Sequence, residues 1–322
     1  MRANPILAGA YALFFVSPAA ALEVAVISDL NGSYGSTDYQ AHVSDAVAAI
    51  VELEPDLVLV TGDMVAGQRT PVLAPDEVRA MWSAFHAAVT DPFAAAGIPV
   101  AVTPGNHDAS AYEQFVAERA IYAQEWRERK PDVTFVADED YPFFYAFDVE
   151  GVRFVSLDVT TVGPLSSGQM AELGSALDGA GDARIAFSHL PLWEFAQGRE
   201  TEIIGDRDLA EAFGSLGVDL HLSGHHHSFY PGASEGIAYV SQACLGASPR
   251  RLVGATDRGP RGFTLLDIDV KTGDIFIDFR AAPDFATEFD ITTLPPRIDG
   301  FKGSLIRVDL AELPSVHLET RE

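Results

Sequence analysis

Val24-Ala25-Val26-Ile27-Ser28-Asp29-Leu30-Asn31-Gly32 is an apolar run closed by an acid and a turn-forming Asn-Gly pair. Four apolar residues in a row describe a strand covered on both faces, as in a parallel sheet. A carboxylate at the mouth of such a strand must be solvated, paired or held by a cation, because burying it alone is strongly unfavourable. The other strand ends of the chain choose among the three.

Leu57–Val60 is followed by Thr61-Gly62-Asp63, and Pro99–Val102 by Thr103-Pro104-Gly105-Asn106-His107-Asp108. Arg184–Phe187 is followed by Ser188-His189-Leu190-Pro191, and Val218–Leu222 by Ser223-Gly224-His225-His226-His227. Helical patterns over Gln40–Leu53 and Asp76–Ala96 separate the first three runs, the alternation of a βαβ sheet. In an open α/β sheet, ligands bind outside the carboxyl ends of the strands. Five such loops would therefore gather Asp, Asn and His donors along one edge.

Taken singly, each motif has an ordinary reading: a turn at Asp63, a hydrogen-bonded His189, a solvated loop at the three histidines. Their ordered recurrence makes a metal the holder of Asp29. His42, His86, His221 and His317 fall outside these loops and read as structural. Trp193 and Phe195, just past His189, belong either to a pocket rim or, more simply, to the core.

The chain has 322 residues, 48% of them hydrophobic, enough for a large core, and neither an internal repeat nor a linker divides it. Residues 1–21 form a separate unit: Arg2, an apolar stretch Ile6–Val16, Pro18, then Ala19-Ala20-Ala21. That order predicts a signal peptide cut after Ala21, and an exported, periplasmic or secreted protein. The stretch is shorter than the roughly 20 residues a membrane-spanning helix needs, so no span is expected after cleavage. The formal net charge is −26 at pH 7. Such a surface argues against nucleic acid as a partner, since that affinity rests on Lys and Arg at phosphates. Cys244 is the single cysteine, which leaves no internal disulfide or thiolate cluster and makes it a buried small hydrophobe.

With these residues in place, the chain resembles the calcineurin-like metallophosphoesterases. The family pattern of Asp-x-His, Gly-Asp-x-x-Asp/Asn, Gly-Asn-His-Asp/Glu, a lone His and Gly-His-x-His corresponds in order to five segments. They are Asp29-Leu30-Asn31, Gly62-Asp63-Met64-Val65-Ala66, Gly105-Asn106-His107-Asp108, His189, and Gly224-His225-His226-His227. Two departures stand out: Asn31 replaces a ligand histidine, and Ala66 replaces an acidic or amide residue.

The resemblance covers about residues 23 to 270 and implies a single domain over 22–322. Its fold would be α/β, a four-layer α/β/β/α sandwich of two mixed β-sheets flanked by helices. The strand-rich stretch Val133–Val159 and a hairpin around Lys271-Thr272-Gly273-Asp274 would supply strands of the second sheet. Residues 284–322 form a C-terminal extension without a motif, expected as edge strands and a short helix.

The resemblance also implies two metal ions. One would take Asp29, His227 and, by its amide oxygen, Asn31; the other Asn106, His189 and His225; Asp63 would bridge them, and His226 would point away. Residues two apart in an extended segment face the same side, which fits both Asp29/Asn31 and His225/His227. Oxygen and imidazole donors without thiolate suit divalent or mixed-valence iron, manganese or zinc. His107 would face the substrate, with Asp108 orienting and charging it; Arg250 and Arg251, following a strand at Ile237–Ala243, read either as solvated surface residues or as a pair of which one reaches the phosphate.

The expected activity is hydrolysis of phosphate mono- or diesters of small substrates. Two cations about 3.5 to 4 Å apart would neutralise the phosphate oxygens and activate water, so that hydroxide attacks phosphorus. The alternative, motivated by Asn31 and Ala66, is a non-catalytic exported metal-binding or interaction protein of the same fold. The retention of both His107 and Asp108 favours the enzyme, because neither is needed merely to hold metal.

Overall fold

The computed structural model describes residues 21–287 and 289–319, and the signal peptide expected over residues 1–21 lies outside them but for Ala21. Among the described residues fifteen strands form two mixed sheets. The first contains β1 (Ala21–Ile27), β2 (Leu57–Val60), β3 (Val100–Val102), β11 (Gly262–Asp269), β12 (Ile275–Ala281) and β15 (Val316–Leu318), in the order β15-β12-β11-β1-β2-β3. The second contains β4 (Thr134–Asp140), β5 (Phe144–Val149), β6 (Val152–Ser156), β7 (Arg184–Ser188) and β8 (Leu220–Ser223), then β9 (Tyr230–Ser234), β10 (Ile237–Ser241), β13 (Arg297–Asp299) and β14 (Ser304–Arg307). Its order is β13-β14-β9-β10-β8-β7-β6-β5-β4.

β1, β2 and β3 run parallel, as do β6, β7, β8 and β10. Every residue of β2 and the last four of β1 are buried, which is why these strands read as unbroken apolar runs. Helices α1 (Ala41–Leu53), α2 (Pro75–Phe85), α3 (Asp91–Ala95), α4 (Asn106–Ala109) and α5 (Val116–Glu128) belong to the connections after β1, β2 and β3. Helices α6 (Ser167–Leu177) and α7 (Arg207–Ser215) connect β6 to β7 and β7 to β8. The sheets are tied across their faces by the Tyr145 hydroxyl, which donates to Val102 O at 2.6 Å and accepts from Val102 N at 2.9 Å. Thr264 Oγ1 donates to Gln242 Oε1 at 2.7 Å, and Phe229 stacks on Phe279 at 4.1 Å between ring centres. One apolar core extends from Leu22 to Val316.

Three expectations need correction. The five ligand-bearing strands are split between two sheets, three in the first and two in the second, whose carboxyl ends converge. The Lys271–Asp274 turn joins β11 to β12 and therefore extends the first sheet, because β11 pairs antiparallel with β1. The helix over Asp76–Ala96 is interrupted by a π-turn at His86–Thr90, where Asp91 N donates to His86 O. Pro92, just beyond, has no N–H for the regular ladder. The C-terminal region adds β13, β14 and β15 and short 3₁₀ helices at Ile291–Thr293 and Val308–Leu310.

Candidate metal centre

The edges meet through backbone bonds. Leu245 N, in the loop after β10, donates to Ser28 O at 3.2 Å and Gly246 N to Asp29 O at 3.0 Å, while within each sheet Leu30 N donates to Asp63 O at 2.9 Å and Gly224 N to His189 O at 3.0 Å. Asp29, Asp63, His225 and His227 all have positive φ, between 51° and 63°. For residues other than glycine this is an uncommon and costly conformation that surrounding structure must hold. The extended alternation expected of His225-His226-His227 and of Asp29-Leu30-Asn31 is thus replaced by left-handed kinks. Gly105 passes so close to Asp63 that a Cβ there would collide with the aspartate's backbone N and its carboxylate.

Two sets of donor atoms gather here, Asp63/His189/His225 and Asp29/Asp63/His227, the atoms of each lying within 4.8 Å of one another. Asp63 is common to both. His189 Nε2 lies 3.3 Å from Asp63 Oδ1, 3.0 Å from Asn106 Oδ1 and 3.2 Å from His225 Nδ1. On the other side His227 Nε2 lies 2.9 Å from Asp29 Oδ1. Asn31, 6% exposed, lines the same cleft, and its backbone N donates to Asp63 O at 3.1 Å.

The outer nitrogens of the three histidines explain how these atoms face one another. His189 Nδ1 donates to Thr61 O at 2.8 Å, His227 Nδ1 to Ser248 O at 3.0 Å, and His225 Nε2 to Glu202 Oε2 at 3.0 Å. Each bond sets the tautomer and turns the other nitrogen's lone pair inward. Asp29 Oδ2 is satisfied by Ser28 Oγ at 2.7 Å and His225 N at 3.1 Å, whereas the buried Oδ1 faces His227 Nε2 alone. Carboxylate, amide and imidazole atoms able to offer lone pairs therefore converge on one small space, and a cation is what such a set fits.

The pocket's demand for positive charge appears in its protonation. Burial disfavours a charged His189 imidazole, but Asp63 beside it outweighs burial and pushes its pKa up to about 9. Burial likewise works against Asp63, yet His189 and His107 hold its carboxyl below the usual range.

His107 stands at the cleft wall. Its Nδ1 donates to Gly67 O at 3.0 Å and its Nε2 lies 4.0 Å from Asp63 Oδ2. The Tyr34 ring, 56% exposed, packs against it with ring centres 5.2 Å apart. Asp108 does not orient His107 as expected. Its Oδ1 accepts from Met64 N at 2.8 Å and Val65 N at 2.9 Å, and its Oδ2 from Gly105 N at 3.0 Å. Burial and the neighbouring Asp63 also push its pKa up to about 7, so it is a poor source of charge for an imidazolium. Asp108 positions the loops that carry Asp63 and Asn106.

His226 turns away: Nδ1 accepts from Phe195 N at 3.2 Å and Ala196 N at 3.3 Å, pinning the neighbouring loop. Trp193 and Phe195 are core residues, 6% and 1% exposed. Cys244 is buried with its thiol on Ala247 O, and burial pushes its pKa up to about 12. Arg250 borders the cleft and donates to His225 O, whereas Arg251 lies in an adjoining groove.

Gln68, Glu202 and Tyr34 were missed by sequence reading. Gln68 receives Asn106 Nδ2, Glu202 orients His225, and Tyr34 covers His107. None belongs to a spaced motif; the single hint was that Tyr34 follows closely on Asn31-Gly32. Glu118, buried on α5, supports Gln68 by accepting its backbone N–H at 2.8 Å.

Residues 22–229 match the family model of calcineurin-like phosphoesterases. No curated protein matches the sequence. Among solved structures, the fold is similar to a purple acid phosphatase from yellow lupin (Lupinus luteus) seeds, at TM-score 0.64 and 19% identity over 84% of this chain and 53% of that one. The chain thus spans about half the length of the lupin protein. It is also similar to a dimetal phosphatase from Danio rerio, at TM-score 0.53 and 16% identity over 81% of this chain and 96% of that one. A third similar structure is the anchor in the inner membrane complex of Plasmodium, at TM-score 0.54 and 14% identity over 92% and 91% of the two chains.

Proposed function

The chain belongs to the calcineurin-like phosphoesterase family, and from that premise we propose that it is an exported phosphohydrolase acting on mono- or diesters of small substrates with a pair of metal ions. The observation that carries this reading is the pair of donor sets, Asp29/Asp63/His227 and Asp63/His189/His225, that share Asp63. Asp29, His227 and the Asn31 amide oxygen would hold one ion, Asn106, His189 and His225 the other, with Asp63 between them. The donors, oxygen and imidazole without thiolate, suit iron, manganese or zinc. Bound there, the ions supply Lewis acidity and a water acidic enough to ionise near neutral pH.

The protein's own groups do the rest. Gly67 O holds the His107 ring so that Nε2 faces the cleft, where it can hand a proton to the leaving-group oxygen. Arg250 at the cleft wall offers a cation to the phosphate's outer oxygens. The loop bonds made by Asp108 keep Asp63 and Asn106 in register. The cleft, about 580 Å³, has room for a small ester.

Export rests on the order of residues 1–21, and among the described residues no helix is long and apolar enough to cross a membrane. Metal analysis of the purified protein, with hydrolysis of an aryl phosphate monoester and diester, tests the activity. Two metal equivalents and turnover that disappears with chelator are expected; a metal-free protein inert towards both esters would overturn the reading. N-terminal sequencing of protein expressed with its leader, expected to begin at Leu22, tests export.

A further inference from the structure

A groove of about 450 Å³ opens from the metal cleft and shares His227, Ser248 and Arg250 with it. Its far side carries Arg251 and Arg258. These two form an antiparallel bridge, directly opposite one another, so both guanidinium groups rise from the same face of the ladder. Like charges placed opposite one another are unfavourable. The segment is nevertheless strapped in place: Arg250 N donates to His227 O at 3.2 Å, Gly259 N to Arg250 O at 3.0 Å, and Gln197 N to Arg251 O at 2.9 Å.

What sets these arginines apart is that they converge on one groove. Nine other Arg and Lys side chains pair with a carboxylate: Arg79, Arg119, Arg129, Lys130, Arg153, Arg199, Arg280, Arg297 and Arg307. Among the described residues Arg250, Arg251 and Arg258 have no carboxylate within ion-pair distance. In a chain of net charge −26, three arginines outside any ion pair converge on the groove that leads out of the reaction site.

We propose that this groove is a second anion subsite and that the substrate carries a second phosphate on its leaving group. The proposal rests on the phosphohydrolase reading above. Guanidinium forks match phosphate oxygens two at a time, which a point charge does not. Screening over about 8 to 10 Å lets these arginines govern the groove while the acidic surface beyond repels longer polyanions. The substrate is therefore a short bisphosphate and not a nucleic acid. The chemistry remains hydrolysis: water adds across one P–O ester bond, inorganic phosphate departs, and the released alcohol takes a proton and keeps the other phosphate in the groove.

A matched pair of esters tests this, propyl phosphate and propane-1,3-diol bisphosphate, with phosphate release followed on the full metal-loaded enzyme. The bisphosphate is expected to have a kcat/KM at least tenfold higher per cleavable group. Arg251→Gln and Arg258→Gln should each cut that ratio several-fold, chiefly through KM, with Arg→Lys variants intermediate. Both side chains are exposed, so folding is not at stake. Hydrolysis of both esters with equal kcat/KM, or a preference that survives both Gln substitutions, overturns the subsite alone. Hydrolysis of neither ester by enzyme that turns over an aryl ester overturns the subsite alone, whereas enzyme inert towards these and towards the aryl monoester and diester overturns the phosphohydrolase reading and the subsite with it.

Discussion

Asn106 Nδ2 donates to Gln68 Oε1 over 2.6 Å, and this bond decides which end of the Asn106 amide faces the metal centre. With the nitrogen tethered, the oxygen is left 3.0 Å from His189 Nε2. Gln68→Leu removes the tether while leaving every proposed ligand in place. Metal affinity or kcat/KM should fall about 10- to 100-fold, the usual effect of losing a group that orients a ligand. Gln68→Glu, which keeps an acceptor, should fall less. Equal metal titrations for the Gln68→Leu variant and the parent protein would mean that Asn106 is held by other contacts.

His107 touches neither donor set through its Nδ1, which is spent on Gly67 O. His107→Ala should therefore lower kcat by about 10²- to 10⁴-fold, the range for loss of a proton donor, with bound metal nearly intact. Metal loss in step with activity would instead make His107 part of the metal site.

Asp63 is the residue shared by both donor sets. Asp63→Ala should lose both metal ions, measured as equivalents after desalting, whereas His227→Ala should release one. Two tightly held equivalents in the Asp63→Ala variant would rule out a bridging carboxylate.

Asn31 occupies the position where the family pattern has histidine, and it lines the cleft beside His227. A neutral amide oxygen is a harder donor than imidazole and favours cations such as manganese over zinc. Asn31→His should tighten zinc, and Asn31→Ala should weaken metal at the Asp29/His227 position and reduce turnover. Full metal content and turnover of Asn31→Ala under chelator challenge would reduce Asn31 to a turn former.

His221 lies in β8, buried, with Nε2 donating to Ser188 Oγ at 2.9 Å. Burial pulls its pKa down to about 3, against about 6.5 in the unfolded chain. Between these values the unfolded state binds more protons, so stability is fully present above about pH 6.5 and is lost as pH falls towards 3. The loss is about 1.4 kcal/mol per pH unit for this group. In urea unfolding of chelated protein, His221→Leu should lose about 2 kcal/mol less than the parent between pH 6.5 and 5. Parallel curves would place the acid sensitivity elsewhere.

The strands that end in Asp29, Asp63, Asn106, His189 and His225 are legible because each motif is local. An unbroken apolar run announces a strand buried on both faces, and the donor types follow it directly. The division of those strands between two sheets is not legible, because β-pairing partners such as β1 and β11 lie far apart in the chain. Asp108 shows the same limit. It stands beside His107 in sequence, but its oxygens bond Met64 and Val65, which approach only after folding.

The sequence by itself therefore determined the donor inventory, the order of the five loops and the acidic surface, all properties of residue type and short spacing. Only the tertiary structure decided the left-handed kinks at Asp29, Asp63, His225 and His227 and the outward acceptors that set each imidazole. It alone also decided the pairing of Arg251 with Arg258 beside the cleft. The reason is physical: a hydrogen bond such as His225 N to Asp29 Oδ2 joins residues 196 positions apart. No local pattern encodes such a contact, which exists only when packing of the two sheets brings their carboxyl ends together.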